Sequence, residues 1–171
     1  LNVKTETAVV TRGDNSTAAF APGDEVSILS WNVGYAGLGE ESDFFMDGGK
    51  QTRAPSKAIV EKNMDGIVAT VQGMAADFTF LQEIDAGPST HAYGIEEAGR
   101  LRTETQLDSA HALNYKCAFV PYPIPPIGRV NTGLMTLSTA PIASAERIAL
   151  PSPFKWPVSV ANLKRCLMPV Y

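Results

Sequence analysis

Two short segments of the sequence end in polar side chains that could act together. The run EVSILSWNV (25–33) carries Asn32 near its end, and DFTFLQEID (77–85) changes from apolar residues to Glu83. Both runs have the composition of buried β-strands. If the strands are parallel neighbours, about 4.8 Å apart, their carboxyl ends meet where open α/β sheets place their ligands. The sequence therefore predicts that Asn32 and Glu83 face one pocket.

The chemistry of this pair is that of a divalent-metal site. Carboxylate and amide oxygens are hard donors, which suit Mg²⁺, Mn²⁺ or Ca²⁺ better than Zn²⁺ or Cu²⁺. Magnesium needs only one or two protein carboxylates, because water and substrate phosphates fill its other positions. Each residue also has a structural interpretation, since Glu83 can be a solvated strand end and Asn32 a turn cap. The residues alone leave both interpretations open.

The other polar candidates carry weaker signals. Asp43 and Asp47 lie in the loop sequence ESDFFMDGG and could face the same pocket or form turns, whereas Asp85 is more typical of a residue that orders a loop. His91 follows Glu83 in a loop and is a candidate for phosphate contact. His111 is expected near the end of a helix, at the surface.

The elements that must position these residues follow from periodicity. Residues 56–75 have apolar residues at helical spacing, with Ser56 as the predicted N-cap. This helix connects the strands that end near Asn32 and Glu83, so the order strand, helix, strand favours an α/β fold. The glycine-rich segment 34–55 is predicted to be a long loop, of a length that is usually functional or disordered.

The remaining segments complete this outline. Residues 1–24 are polar and are expected to form an arm or linker. We predict the other elements as a helix over 95–113, a strand over 115–122, two antiparallel strands over 132–139 and 143–150, and a strand beginning at 164. Residues 25–171 are then expected to form the N-terminal part of one domain whose sheet is incomplete.

Composition restricts the class of protein. With 171 residues, 44% of them hydrophobic and a net charge of −4, the chain suits one globular domain and lacks a generally basic, nucleic-acid-binding character. Cys117 and Cys166 are far apart and form no CxxC pattern, which excludes a zinc module and favours free thiols. The sequence contains no run of about 18 apolar residues, so it predicts no membrane span.

Three motifs together resemble the endonuclease/exonuclease/phosphatase superfamily, whose fold is that of deoxyribonuclease I. They are ILSWNVGY, DFTFLQEID and NTGLMTLS, which occur in the family's order and at similar separations. DFFMDGG and RVNTGLMTLS further resemble a poorly characterised bacterial branch. The resemblance covers residues 26–171 and implies an α+β sandwich, with mixed sheets and flanking helices.

The resemblance implies a divalent-metal-dependent hydrolase of phosphoester bonds, of phosphodiesterase, phosphatase or nuclease type. Glu83 would bind the metal, Mg²⁺ or else Mn²⁺ or Ca²⁺, and Asn32 would assist the metal and orient the phosphate. Asp47, His91 and Asn131 are candidate substrate-binding residues, although His91 stands where the related branch often has arginine. Nucleic acid, phospholipid and sugar phosphate are not distinguished as substrates, and no stable protein partner is implied.

Later family motifs are missing from this chain. The NxH segment, the GDFN segment and the final Asp-His pair, which supplies the general base, do not occur. We therefore expect a fragment with little or no hydrolase activity alone. The alternatives are a non-catalytic binding module on the same fold and a truncated product. The first residue, Leu1, and the polar N-terminal segment are compatible with a full-length protein that is exported or membrane-anchored.

Overall fold

A five-stranded mixed sheet forms the centre of the structure, a computed structural model that describes residues 5–45, 48–151 and 163–171. The elements in chain order are β1 (Glu6–Thr7), β2 (Val9–Thr11), β3 (Ile28–Asn32), a 3₁₀ turn (Gly34–Ala36), α1 (Lys57–Met74), β4 (Phe78–Asp85), α2 (Glu97–Thr105), β5 (Asp108–Val120), β6 (Gly128–Ser138), β7 (Glu146–Ala149) and β8 (Cys166–Leu167).

The large sheet has the strand order β2-β5-β6-β4-β3, and a small sheet has the order β1-β7-β8. Within the large sheet β3 pairs with β4 in parallel, while the other neighbours are antiparallel. The prediction that the first two long strands are parallel neighbours is therefore confirmed. The connection between them is α1, as the strand, helix, strand order predicts.

Helix α1 forms where the sequence predicts it. Ser56 is the N-cap, and its hydroxyl accepts a hydrogen bond from the N–H of Ile59 at 3.3 Å. The helix ends at Ala75, which adopts the left-handed conformation with φ 45°. Its buried side chains recur at helical spacing and are Val60, Met64, Ile67, Val68 and Val71.

Apolar side chains cover both faces of the large sheet. One cluster joins α1 and α2 to the face that carries Leu81, Met135 and Leu137. A second cluster joins the opposite face, at Ala110 and Ala112, to residues of the small-sheet region. The described residues thus form three layers, with helices, the large sheet and the small sheet in that order.

Gly133 occupies a crowded position in the middle of β6. It lies opposite Ile84 of β4 and Leu113 of β5, at the point where the register shifts on both sides. A Cβ atom at this position would meet the Ala112 carbonyl oxygen at 1.9 Å. The glycine of the NTGLM sequence is therefore required for close strand packing.

The segment expected to be an N-terminal arm contributes strands to both sheets. β1 pairs with β7, and β2 pairs with β5. Farther along, the buried Ser16 donates from its hydroxyl to the Ser138 carbonyl at 2.6 Å. The proposed division at residue 24 stays a prediction, but residues 6–16 pack directly on the sheet.

Two predicted elements were wrong. The helix predicted over 95–113 ends at Thr105, and residues 108–113 belong to β5. Asp108 to Ala112 are buried without alternation, as in a strand covered on both faces, so period-two patterning could not reveal the strand. The segments 132–139 and 143–150 were predicted to pair, but β6 and β7 lie in different sheets.

Two smaller expectations were also tested. His111 was expected at the surface near a helix end, but it lies within β5 and is 8% exposed. Cys117 and Cys166 are free, as predicted, and Cys166 is buried. Among the described residues, no helix is both long and apolar enough to cross a membrane.

Candidate functional site

Asn32 lies at the carboxyl end of β3, beside the end of β4. The parallel register pairs Asn32 with Gln82, the residue directly before Glu83. The Asn32 side chain is exposed, and its Oδ1 accepts a hydrogen bond from the Gly34 N–H at 3.0 Å. This contact matches the turn-capping interpretation of Asn32, while its amide nitrogen remains available at the same sheet edge.

Glu83 is the extra residue of a β-bulge. Gln82 pairs with Leu134 and Ile84 pairs with Gly133, so Glu83 has no partner in the ladder. Its φ of 55° is unusual for a residue with a side chain, and such strain often marks functional positions. Glu83 is half-buried and accepts no hydrogen bond from the parts of the chain that the structure describes.

Tyr35 joins the two strand ends. It lies in the 3₁₀ turn directly after β3, also with a φ of 55°. Burial raises the pKa of the Tyr35 hydroxyl, and the negative charges of Glu83, Asp85 and Glu97 raise it further. Tyr35 therefore lies within electrostatic range of three acidic side chains, which places Glu83 close to the segment that follows Asn32.

The next acidic residue along β4, Asp85, is fully buried beside a histidine. Its Oδ2 lies 2.9 Å from His91 Nε2, although the two groups do not have hydrogen-bond geometry. The His91 ring also packs on the Tyr35 ring, with centroids 4.7 Å apart. The His91 side chain is 11% exposed. Asp85 and His91 thus form a carboxylate–imidazole pair beside Glu83.

Glu97, in the first turn of α2, completes this acidic group. Its Oε2 accepts a hydrogen bond from the backbone N–H of Asp85 at 2.9 Å. Burial raises the pKa of Glu97 well above its usual range, and the charge of Asp85 raises it further. A protonated Glu97 removes one of two negative charges that would otherwise lie together in the interior.

The donor set at this edge fits a hard divalent cation that is held mainly by water and substrate. Glu83 supplies one strand-end carboxylate without a hydrogen-bond donor, and Asn32 adds an amide. No group of three or more His, Cys, Asp or Glu side chains with metal-binding geometry occurs in residues 5–45, 48–151 and 163–171. So small a donor set would suit Mg²⁺, which takes few protein ligands, and the metal itself stays a prediction.

The remaining predicted residues have different locations. Asp47 lies outside the described residues. Asp43 bonds across its loop, since its carbonyl accepts from the N–H of Gln51 at 2.7 Å and its carboxylate from the N–H of Lys50 at 3.3 Å. Asn131 of β6 lines a cavity of about 310 Å³, but neither Asn32 nor Glu83 lines it. Asn131 is nevertheless bonded to the loop that carries His91, since its N–H donates to the Ser89 hydroxyl at 2.9 Å and its carbonyl accepts from the Ala86 N–H at 3.1 Å. Its role in substrate binding stays a prediction.

Sequence reasoning missed Tyr35 and Glu97. Tyr35 falls within the NVGY sequence, where only Asn32 was considered. Glu97 could have been found from helical spacing, because Glu97, Leu101 and Thr105 recur every four residues and are all buried. An acidic residue on the buried face of a helix indicates an interior role.

Comparison with known proteins gives one structural similarity. Neither a family model nor a curated protein matches the sequence. A solved structure of an endonuclease/exonuclease/phosphatase from Beutenbergia cavernae is similar, with a TM-score of 0.55 and 19% sequence identity. The match covers 85% of this chain and 33% of that protein, so the chain spans about a third of its length.

The similarity concerns the fold. The described residues have a mixed α+β structure with two sheets and few helices, similar to the deoxyribonuclease-I-like fold of that protein. The predicted fold class is therefore confirmed. The roles of Asn32 and Glu83, and the metal, stay predictions.

Proposed function

We propose that the chain provides the metal-binding side of a divalent-metal-dependent phosphoester hydrolase, of phosphodiesterase, phosphatase or nuclease type. The observation that carries this proposal is the parallel pairing of β3 and β4, which sets Asn32 beside Gln82 and the bulged Glu83. The similarity to an endonuclease/exonuclease/phosphatase fold supports it.

In this proposal Glu83 holds Mg²⁺, or else Mn²⁺ or Ca²⁺, and Asn32 orients the phosphate. The cation, when bound, neutralises the charge that develops on the phosphoryl oxygens. The bulge takes the Glu83 backbone out of the strand ladder, and its carboxylate accepts no hydrogen bond from the described residues, so the side chain is free for a ligand. The Asn32 amide can donate to a phosphate oxygen while its Oδ1 stays bonded to Gly34.

A non-catalytic binding module on the same fold is the second candidate. The hydrogen bond from Gly34 to Asn32 favours it, because a turn cap alone can explain the asparagine. Under this alternative Glu83 binds no cation.

Manganese binding by the 171-residue chain distinguishes the two candidates. We expect Glu83→Gln to weaken Mn²⁺ binding, measured by electron paramagnetic resonance, by at least about tenfold, since the only carboxylate in the set is lost. The control is Glu25→Gln, an exposed residue before β3 at the opposite sheet edge. Equal Mn²⁺ binding by wild type and Glu83→Gln would reject the metal role.

Activity is a separate measurement, made on the product of the complete reading frame that encodes these residues. We expect Mg²⁺-dependent hydrolysis of bis(p-nitrophenyl) phosphate, which chelation abolishes. Glu83→Ala should lower the rate of hydrolysis by about a hundredfold or more, because the transition state then loses several kcal/mol of charge stabilisation. The 171-residue chain alone is expected to show little or no turnover. Unchanged turnover in Glu83→Ala would contradict the proposal.

A further inference from the structure

The β5–β6 hairpin extends beyond the sheet edge that carries the candidate site. Thr132 of β6 pairs with Asp85 on one side and with Tyr115 on the other. From this level the β5–β6 ladder continues to the pair Val120 and Gly128. At about 3.3 Å per residue, the ladder from Tyr115 to Val120 extends about 15 Å past Asp85.

The end of this hairpin is apolar and exposed. We call residues 117–127, with the sequence CAFVPYPIPPI, the hairpin tip; it contains no polar or charged side chain apart from the tyrosine hydroxyl and the cysteine thiol. Phe119, Tyr122 and Ile124 are 59%, 75% and 89% exposed. Large apolar side chains that protrude together mark a surface that is covered in use.

The charged side chains of residues 109–145 have one sign. Residues 109–145 contain no aspartate or glutamate, in a chain with 18 acidic residues in total. Two basic residues, Lys116 and Arg129, flank the tip, one on each strand, and both are exposed. An apolar tip with two aromatic residues, flanked by basic residues, matches the chemistry of an anionic membrane interface.

The base of the hairpin is fixed to the loop that carries His91. The Thr90 N–H donates to the Arg129 carbonyl at 2.8 Å, and the Arg129 N–H donates to the Thr90 hydroxyl at 2.9 Å. The Asn131 N–H donates to the Ser89 hydroxyl at 2.9 Å. A surface that contacts the tip would therefore lie at a fixed position relative to the carboxyl ends of β3 and β4.

We infer that the hairpin tip inserts into the interface of an anionic phospholipid bilayer, which turns the edge with Asn32 and Glu83 toward the lipid headgroups. The inference rests on the proposed function for its substrate class, which becomes a phosphoester of a membrane lipid. Tyr122 and Ile124 enter the headgroup region, and Lys116 and Arg129 contact anionic headgroups. Insertion itself requires neither a metal nor catalysis.

The test measures binding of the full 171-residue chain to vesicles of phosphatidylcholine mixed with phosphatidylglycerol, in the presence of a chelator. We expect the double variant Tyr122→Ser/Ile124→Ser to lower the partition coefficient by about tenfold per residue. Both side chains are exposed, so the fold is retained. The matched control is Val26→Ser/Met74→Ser, which removes two exposed apolar side chains at the opposite edge and should bind like wild type.

The charge contribution has its own variant. Lys116→Gln/Arg129→Gln should weaken binding to the anionic vesicles by about fivefold per residue and reduce its salt dependence. Binding to phosphatidylcholine alone should change little. Tyr122→Trp places a tryptophan at the tip. When vesicles are added, its emission should shift to shorter wavelength and be quenched by brominated acyl chains. The control Met74→Trp should show neither change.

Two results would overturn the inference. One is equal vesicle binding by wild type and Tyr122→Ser/Ile124→Ser. The other is that the wild type does not bind vesicles but sediments as a dimer, and that the double variant sediments as a monomer. That result would assign the tip to contact between copies of the chain. Because vesicle binding is measured with a chelator, its outcome is independent of the Mn²⁺ and turnover experiments. Vesicle binding without Mn²⁺ binding would keep the docking surface and reject the hydrolase.

Discussion

Asp85 Oδ2 and His91 Nε2 lie 2.9 Å apart, and Asp85 is fully buried. The contact ties the carboxyl end of β4 to the loop that follows it, since His91 is six residues farther along the chain. The His91 backbone carbonyl also accepts a hydrogen bond from the Ala54 N–H at 3.2 Å. The pair thus holds together the end of β4, the loop after it and the segment before α1.

Removing the imidazole should destabilise the fold, because it leaves a buried carboxylate without its neighbour. We expect His91→Gln to lower the free energy of unfolding by about 3 kcal/mol in urea titrations. The double variant His91→Gln/Asp85→Asn should recover much of this loss, because the carboxylate charge is then absent. The control Lys57→Gln removes an exposed ion pair with Glu61 and should change stability by less than about 0.5 kcal/mol. Additive effects of His91→Gln and Asp85→Asn would show that the pair is not coupled.

Glu97 should make stability fall as the pH rises. Burial and the Asp85 charge raise the pKa of Glu97 in the folded state above its ordinary value of 4.5. The contribution of Glu97 to the free energy of unfolding is therefore fully present below about pH 4.5, and it is lost as the pH rises through the folded-state pKa. Glu97→Gln stays neutral and still accepts from the Asp85 N–H, so this decline should disappear from urea unfolding curves. A Glu97→Gln variant with the pH dependence of the wild type would contradict the assignment.

The candidate site was predictable only in part. Asn32 and Glu83 could be placed together because apolar runs that end in polar residues, joined by a helix, imply a parallel βαβ unit. The bulge at Glu83 could not be predicted, since it depends on the register of β6 at Gly133. Tyr35 was missed because its position depends on three consecutive residues with positive φ, Gly34, Tyr35 and Ala36, in a loop.

The second half of the chain was less predictable for a physical reason. Central strands such as β5 are covered on both faces, so their sequence lacks the alternation that identifies a strand. SAHAL therefore resembles the end of α2, and the helix termination at Gln106, with φ 54°, has no glycine to signal it. The assignment of β7 to the small sheet depends on contacts with β1 and β8 that are distant in sequence.

His111 should destabilise the protein on acidification. Burial, together with the positive charge of Arg102, lowers the pKa of His111 from 6.5 to about 4, while a backbone hydrogen bond to Ile84 opposes the shift. Stability from the neutral imidazole is full above pH 6.5 and is lost as the pH falls toward 4. A shift of this size corresponds to about 3 kcal/mol. In His111→Gln, the decrease in the free energy of unfolding between pH 6.5 and pH 4, measured by urea unfolding, should be smaller than in the wild type by that amount. An unchanged slope would show that another group is responsible.

Asp108 should be the main attachment point of the N-terminal segment. Its carboxylate accepts from the N–H groups of Gly13 at 2.8 Å and Ile142 at 2.9 Å, and from Arg12 at 2.6 Å. Burial raises the pKa of Asp108, but these three donors outweigh it and lower the pKa below the usual value.

Asp108→Ala leaves two backbone donors without their acceptor, so we expect the free energy of unfolding to fall by about 3 kcal/mol. Arg12→Ala should cost less than about 1 kcal/mol, because the Arg12 side chain is 59% exposed. Amide hydrogen exchange locates the effect: Asp108→Ala should increase exchange at Val9 to Thr11 of β2, and Arg12→Ala should change it little. If β2 stays protected in Asp108→Ala, pairing with β5 alone holds this strand, and the carboxylate is not its anchor.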